Sequence, residues 1–243
     1  MQEVVQEKFG EEETCPYLAD QRSTMRYRFI RHCSIETYEQ LLVRGWRRFG
    51  TVFFRPNCLS CWECRSLRVD VEQFRPNRSM RRTLNRNQDL KVIERRPTIS
   101  DDHIDLYNRF HNDMAGRRDW PNRQSTPIDY YLTFVDGFGD FGHELLFVDG
   151  GRLIGVALVD VLPNAVSAVY CYYDPEERRR ALGVYSVLKQ IELARQRGAE
   201  HLYLGYWVAG NQSMRYKANY RPHEILEGRP ALDRSACWNL VET

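Results

Sequence analysis

From Ser34 the apolar positions Ile35, Tyr38, Leu41, Leu42 and Trp46 fall three and four apart, the spacing of one helical face, with Ser34 as N-cap. Gly50 precedes an apolar run from Thr51 to Phe54 that reads as a strand closed by Pro56. Leu67, Val69 and Val71 alternate with charged residues like a half-buried strand, and Arg75-Pro76-Asn77 breaks it before a basic helix over Arg78 to Asn87. Asp101 and Asp102 after Ser100 start a further helix, carried by Ile104, Leu106, Tyr107, Phe110 and Met114. A loop holding Arg117, Arg118, Asp119, Trp120 and Pro121 follows; Pro127 then opens a helix over Ile128 to Val135, which the Gly137 to Gly142 stretch ends.

The second half changes period. Glu144 to Val148 and Leu153 to Leu162 read as strands around a tight Asp149-Gly150-Gly151 turn, and Pro163-Asn164 turns the chain into a third strand, Ala165 to Tyr173. Gly183 to Arg197 is an amphipathic helix with Val184, Val187, Leu188, Ile191 and Ala194 on one face, and a strand begins at His201. Meander, helix, strand is the order of acetyltransferase-like domains. The expected class is therefore α/β (α+β): a basic, Cys-containing N-terminal domain over residues 14–99 and a GNAT-like mixed-sheet catalytic domain over 100–243. Residues 1–13 have little to bury and are expected to fray. No internal repeat or low-complexity tract interrupts this plan.

Charge sharpens the picture only in its distribution. The net charge is +2, yet residues 1–13 carry five Glu against one Lys, while residues 14–96 carry 18 Arg and Lys against eight Asp and Glu. Arg outnumbers Lys 31 to 4, which suits bidentate binding of phosphate or carboxylate and also fits a GC-rich genome. With 42% hydrophobic residues the chain can bury one substantial core or two small ones. No apolar run approaches the ~20 residues of a membrane span, and the N-terminus lacks the basic start and apolar stretch of a leader. A cytoplasmic address with no membrane partner is expected. Seven Cys, an odd number, with three in Cys58-Leu-Ser-Cys61-Trp-Glu-Cys64, favour reduced thiols or a metal site over a secreted disulfide framework.

Several short motifs, taken in order, resemble those of the arginyl- and leucyl-tRNA-protein transferases. They are Val169 to Pro175, Leu182-Gly183, Tyr203 to Trp207, and Met214-Arg-Tyr-Lys217 with Tyr220 and Pro222. Upstream, Cys15 to Leu18, Arg55-Pro56 with the Cys58/Cys61/Cys64 cluster, and Phe74 to Arg82 with Arg86-Asn87 are similar to the N-terminal half of the bacterial branch. The likeness spans roughly residues 14 to 226, and the joint order is far more specific than any one motif. Length and the Cys-x-x-Cys-x-x-Cys form resemble the short bacterial aspartate/glutamate leucyltransferases. That resemblance implies transfer of leucine from leucyl-tRNA to proteins with N-terminal Asp or Glu, marking them for N-degron proteolysis, without DNA and without a cofactor for the acyl transfer. Arginyl transfer by the same mechanism is the nearest alternative. Leu18 stands where longer relatives have a second Cys, Asn211 where a Cys is common, and Ser213 where a Lys is common.

Such a reaction needs an anchor for the acceptor carboxylate, a seat for the ester and a donor to the oxyanion. Arg78, Arg81 and Arg82 share a helical face and are the candidate acceptor-binding residues, with Arg86, Arg95 and Arg96 as candidate tRNA contacts. A solvated charged face is the plainer reading of that run. Asp174, placed to meet the aminoacyl ammonium or the incoming amine, is the candidate catalytic carboxylate. Tyr173, Tyr206, Tyr216 and Lys217 are the accompanying candidates for oxyanion donation and adenine stacking, against core tyrosines and a turn-forming Asp174 as the alternative. Cys58, Cys61 and Cys64, with Cys15, either hold zinc or an iron-sulfur cluster or pack as small apolar thiols, as Cys171 and Cys237 are expected to do. An acetyl-CoA-dependent N-acetyltransferase is disfavoured because Tyr185 replaces the second glycine of a pyrophosphate loop. A non-catalytic RNA-binding module is the remaining class.

Overall fold

The computed structural model describes residues 5–122, 124–137 and 139–241. The first elements are β1 (Val5–Phe9), β2 (Glu13–Thr14), β3 (Arg22–Ser23), β4 (Met25–Ile30), α1 (Ile35–Val43), β5 (Arg47–Phe49), β6 (Val52–Pro56) and β7 (Arg65–Asp70). They are followed by α2 (Arg78–Arg86), β8 (Lys91–Arg95), α3 (Asp101–Arg118) and α4 (Pro127–Tyr130), which a π-turn (Tyr131–Val135) extends. The meander is β9 (Gly142–Asp149), β10 (Arg152–Val161) and β11 (Ala165–Tyr173). Then come a 3-10 turn (Pro175–Arg180), α5 (Leu182–Gln196), β12 (His201–Trp207), a second 3-10 turn (Arg215–Asn219), β13 (His223–Leu226) and β14 (Trp238–Leu240).

The helix starts obey local chemistry. The Ser34 hydroxyl accepts from the Thr37 amide at 3.1 Å, the Asn77 side chain from the Met80 amide at 3.0 Å, and Thr126 and Asp129 form a reciprocal capping box before Pro127. α3 runs two residues further than expected, taking Arg117 and Arg118 into the helix. Asp119, with φ of 54°, turns the chain out.

Among the described residues the main sheet has eight strands in the order β14-β13-β7-β12-β11-β10-β9-β8. The expected division after residue 99 does not follow this sheet, because β7 and β8 precede that point and yet pair with β12 and β9. Alternation decides the two faces. Leu145, Phe147, Ile154 and Ala157 pack with Leu188 and Ile191 of α5 and Met80 of α2, whereas Leu146, Val156, Leu158 and Tyr172 pack with Leu106 and Phe110 of α3. Ile191 is 1% exposed, and a buried aliphatic of this kind cut to Ala costs about 2–5 kcal/mol.

A second sheet, β1-β4-β6-β5, carries α1 and meets the meander through Tyr38, Trp46, Phe53, Phe141 and Leu162. The seam holds a buried ion pair. Arg48 Nε donates to Asp160 at 2.9 Å, Tyr38 donates to the same carboxylate at 2.5 Å, and all three residues are buried. The acidic head departs from expectation: β1 pairs antiparallel with β4, Val5 opposite Ile30 to Phe9 opposite Arg26. All five β1 residues are exposed, so backbone hydrogen bonds and the pairing of Glu7 with Arg26 and Arg28 hold the strand in place of apolar burial.

Candidate active site

β11 and β12 are the parallel neighbours in the main sheet, and they pair only from Ala165 to Ser167 with His201 to Tyr203. Beyond that point β11 stays with β10 and β12 stays with β7, so a wedge opens between them. The buried Arg47 guanidinium bridges the neck of this wedge by donating to the Ala168 carbonyl, and it lies 3.4 Å from where a Cβ on Gly205 would stand. Gly205 itself has φ of 78°, the left-handed region that favours glycine.

The wedge is a cavity of about 580 Å³. Much of its wall is apolar, with Phe110, Met114 and Trp120 from the α3 side, Val169 from β11, and Val184 and Val187 from α5, while Ser186, Gln190, Gln212 and Ser213 add polar groups. Among the described residues Arg118 and Lys217 are its only charged lining residues, and no carboxylate lines it. At its floor Gln190, 2% exposed, donates through Nε2 to the Ser186 hydroxyl at 2.9 Å, and Ser186 hydrogen-bonds the Cys171 thiol. Gln190 Oε1 is left as a buried acceptor with no partner among the described residues. Lys217 Nζ donates to the Tyr206 carbonyl at 2.6 Å. Burial, reinforced by the Arg47 charge, pushes the Lys217 ammonium down to about 7.

The five candidates for the ester end divide. Tyr173, Tyr216 and Lys217 line the wedge; Tyr206 and Asp174 do not. Tyr206 turns its hydroxyl away, donating to the Gly45 and Phe54 carbonyls at 2.9 and 3.1 Å. Asp174 is fully buried, and its oxygens accept from Arg109 at 3.0 Å, Arg152 at 2.5 Å and the Glu176 amide at 3.0 Å. Burial raises its carboxyl, but the Glu176 amide and the two guanidiniums outweigh this and hold it below the usual range. In this geometry its contacts cap a turn.

Arg78, Arg81, Arg82 and Arg86 are exposed on α2 and line none of the described cavities. Arg81 donates to the Pro76 carbonyl at 2.6 Å and Arg86 to that of Arg179. Arg95 pairs with the buried Glu144 at 2.6 Å, and Arg96 with Asp140 at 3.3 Å.

Cys15, Cys58, Cys61 and Cys64 border a second, apolar cavity of about 290 Å³ with Tyr17, Met25, Phe54 and Tyr206. Arg229 clamps the loop by donating to the Cys58 and Cys61 carbonyls at 2.7 and 2.6 Å. Burial and the other three cysteines push the Cys64 thiol up to about 12. Among the described residues no group of three or more His, Cys, Asp or Glu stands together in the arrangement of a metal site; as placed, the four thiols border the cavity near one another. Cys171 borders the wedge, while Cys237 is exposed and does not pack.

Sequence reading missed Arg118, Ser186, Gln190 and Trp120 as wedge residues. Ser186 and Gln190 are polar positions four apart on the amphipathic helix α5, a signal that exists in the sequence but has two explanations until burial is known. Tyr185, at the place of the second glycine of a pyrophosphate loop, is buried edge-on against the Phe147 ring.

Residues 13–82 match the N-terminal model of the arginine-tRNA-protein transferases and residues 102–227 match the C-terminal model. A curated relative named aspartate/glutamate leucyltransferase from Campylobacter jejuni (strain 81116) is 43% identical over 91% of this chain and 92% of its own. One of the same name from Helicobacter hepaticus is 37% identical over 96% and 97%. Of solved structures, L-PGS from Bacillus licheniformis overlays on 60% of this chain and 45% of that one with a TM-score of 0.42 and 13% identity. No helix among the described residues is long and apolar enough to cross a membrane. With two family models matched in order over most of its length, this chain belongs to the arginine-tRNA-protein transferase family.

Proposed function

We propose that this chain moves leucine from leucyl-tRNA to the α-amine of proteins that begin with Asp or Glu, in the cytosol, and so marks them for N-degron proteolysis. The reading is supported by the leucyltransferase relatives and by one observation above others: the wedge is lined largely by apolar side chains, and among the described residues its only charged lining residues are cations. A leucyl side chain suits such walls. A buried arginyl guanidinium would need a carboxylate, which the lining lacks among the described residues, and burying a charge unpaired is expensive.

The ester lies in the wedge with the terminal adenine against the Trp120 and Tyr216 rings at its border. The acceptor amine attacks the ester carbonyl, the carbon–oxygen bond to the tRNA ribose breaks, and the amine proton ends on the ribose oxygen. Holding the two reactants in attack geometry contributes up to ~7 to 11 kcal/mol. Lys217, poised near neutrality, relays the proton or donates to the oxyanion. Arg118 supplies the cation for the acceptor's acidic side chain, and the exposed arginines of α2 meet tRNA phosphate.

The test is direct. Purified protein, tRNA, the matching synthetase and labelled leucine or arginine are offered peptides beginning Asp, Glu, Lys or Ala. Leucine on Asp and Glu peptides alone, with no acetyl-CoA requirement, is the expected result; arginine transfer under equal charging overturns the donor assignment.

A further inference from the structure

The small sheet has two faces with different chemistry. Met25 and Tyr27 of β4 and Phe54 of β6 point to the cysteine-walled cavity, while the alternate residues Arg26, Arg28 and Arg55 point to a third cavity of about 220 Å³. There the three guanidinium carbons stand 5.8, 5.1 and 5.0 Å from the centroid of the Trp46 ring, which is 1% exposed. Attraction to the ring face offsets part of the mutual repulsion of three cations, but not their desolvation.

Anions already present satisfy only part of this cluster. Glu7 accepts from Arg26 at 2.6 Å and from Arg28, and Arg55 gives one nitrogen to the Arg44 and Pro230 carbonyls at 3.2 and 2.8 Å. Three buried donors remain without a partner among the described residues: Arg28 Nε, Arg55 Nε and Trp46 Nε1. Arg26, Arg28 and Arg55, with Arg229 close enough to act on Arg55, outnumber Glu7 and Asp233 and leave positive charge in excess. Burial, together with the charges of Arg26, Arg229 and Arg28, lowers the Arg55 guanidinium to about 10, so the cluster carries an electrostatic load that an oxyanion would relieve. Guanidinium and indole N–H groups around one pocket with positive charge in excess are the complement of an oxyanion.

We infer that this pocket binds a backbone phosphate of the donor tRNA, an assignment that rests on the transfer reading above. A phosphodiester is favoured over the acceptor's carboxylate by position. The pocket shares no lining residue with the wedge, and the Tyr206 side chain and strand β6 stand between them: Lys217 meets the Tyr206 carbonyl while the Tyr206 phenol reaches across to Phe54 and Gly45. An acceptor's first residue carries its carboxylate within one side chain's length of its amine and cannot occupy both places. A tRNA extends far beyond its reacting end and can.

The experiment measures binding of uncharged tRNA to the full chain over a range of salt for the parent, Arg28→Gln and Arg55→Gln, with a melting curve for each. Among the described residues Arg28 forms an ion pair with Glu7 alone, so Arg28→Gln reads the pocket even where loss of the Arg55 carbonyl contacts unfolds the second variant. The expected result is an affinity about tenfold weaker at moderate salt and a line of log K against log salt flattened by about one counterion. A folded Arg28→Gln with parental affinity and slope overturns the assignment. So does a raised KM for Glu-initiated peptides with tRNA affinity intact, which would make the pocket an acceptor site. A parent that binds tRNA with this signature yet transfers no leucine would leave the phosphate site standing and remove the transfer reading.

Discussion

Lys217 and Tyr206 meet through side chain and backbone: the ammonium of one donates to the carbonyl of the other at 2.6 Å on the floor of the wedge, while the Tyr206 ring faces the opposite way. Of two candidates read from one motif region, a single hydrogen bond makes one a cleft residue and the other its support.

Lys217 titrates near pH 7 in the fold and near 10.4 when unfolded, so the unfolded chain binds more protons across that window and folding stability rises with pH through it. The stability of Lys217→Met relative to the parent is expected to be greatest below pH 7 and to decline steadily toward pH 10. A gap that does not change with pH would remove the buried-ammonium account. In kinetics, the parent's kcat should show one ionisation near 7 beyond that of the acceptor amine, and the variant should lose it.

Asp174→Asn is expected to destabilise by about 1–3 kcal/mol at pH 7, because two guanidiniums and an amide lose their charged acceptor. The folded carboxyl is held low, so its stabilisation is present above the unfolded value near 3.9 and is lost as pH falls through the folded one. Melting temperatures of parent and variant should therefore converge below pH 4. An unchanged melting temperature at pH 7 with kcat reduced for every acceptor would restore Asp174 to the chemistry.

Gln190→Glu places a carboxylate where the wedge has none. The ratio of arginine to leucine transferred under equal charging should rise about tenfold or more, since a charge-assisted pair is worth roughly 1.5 to 3 kcal/mol. A ratio that stays at the parental value would mean that the aminoacyl side chain lies elsewhere.

Arg118→Ala is expected to raise the KM for Glu-initiated peptides about tenfold and to erase their preference over Gln-initiated ones, with tRNA affinity retained. Arg81→Ala should do the opposite, weakening tRNA binding equally for all acceptors and flattening its salt dependence. An exchange of these two phenotypes would return the acidic anchor to α2.

Period and capping chemistry in the sequence determined the order and type of the elements. The helices α1, α3 and α5, the meander and the strand at Leu67 stand where apolar spacing puts them, because side chains three and four apart, or two apart, must share a face whatever lies opposite, and α2 and α4 stand where Asn77 and Pro127 start them. Family membership was equally legible, since it is carried by ordered motifs. The sheet order was not. That β7 and β8 join the main sheet across residue 99, and that an acidic head becomes strand β1, depends on partners distant in sequence: Glu7 finds Arg26 and Arg28 only once β1 lies along β4. The site divided on the same line. Residue type marked Asp174, Tyr206 and Lys217 as equals, and only the tertiary structure gave Asp174 two arginines, turned Tyr206 toward Phe54 and left Lys217 in a low-dielectric cleft. Ionisation and access are properties of what surrounds a side chain, and the surroundings are assembled from β5, β11, α5 and β12, which no local window of sequence contains.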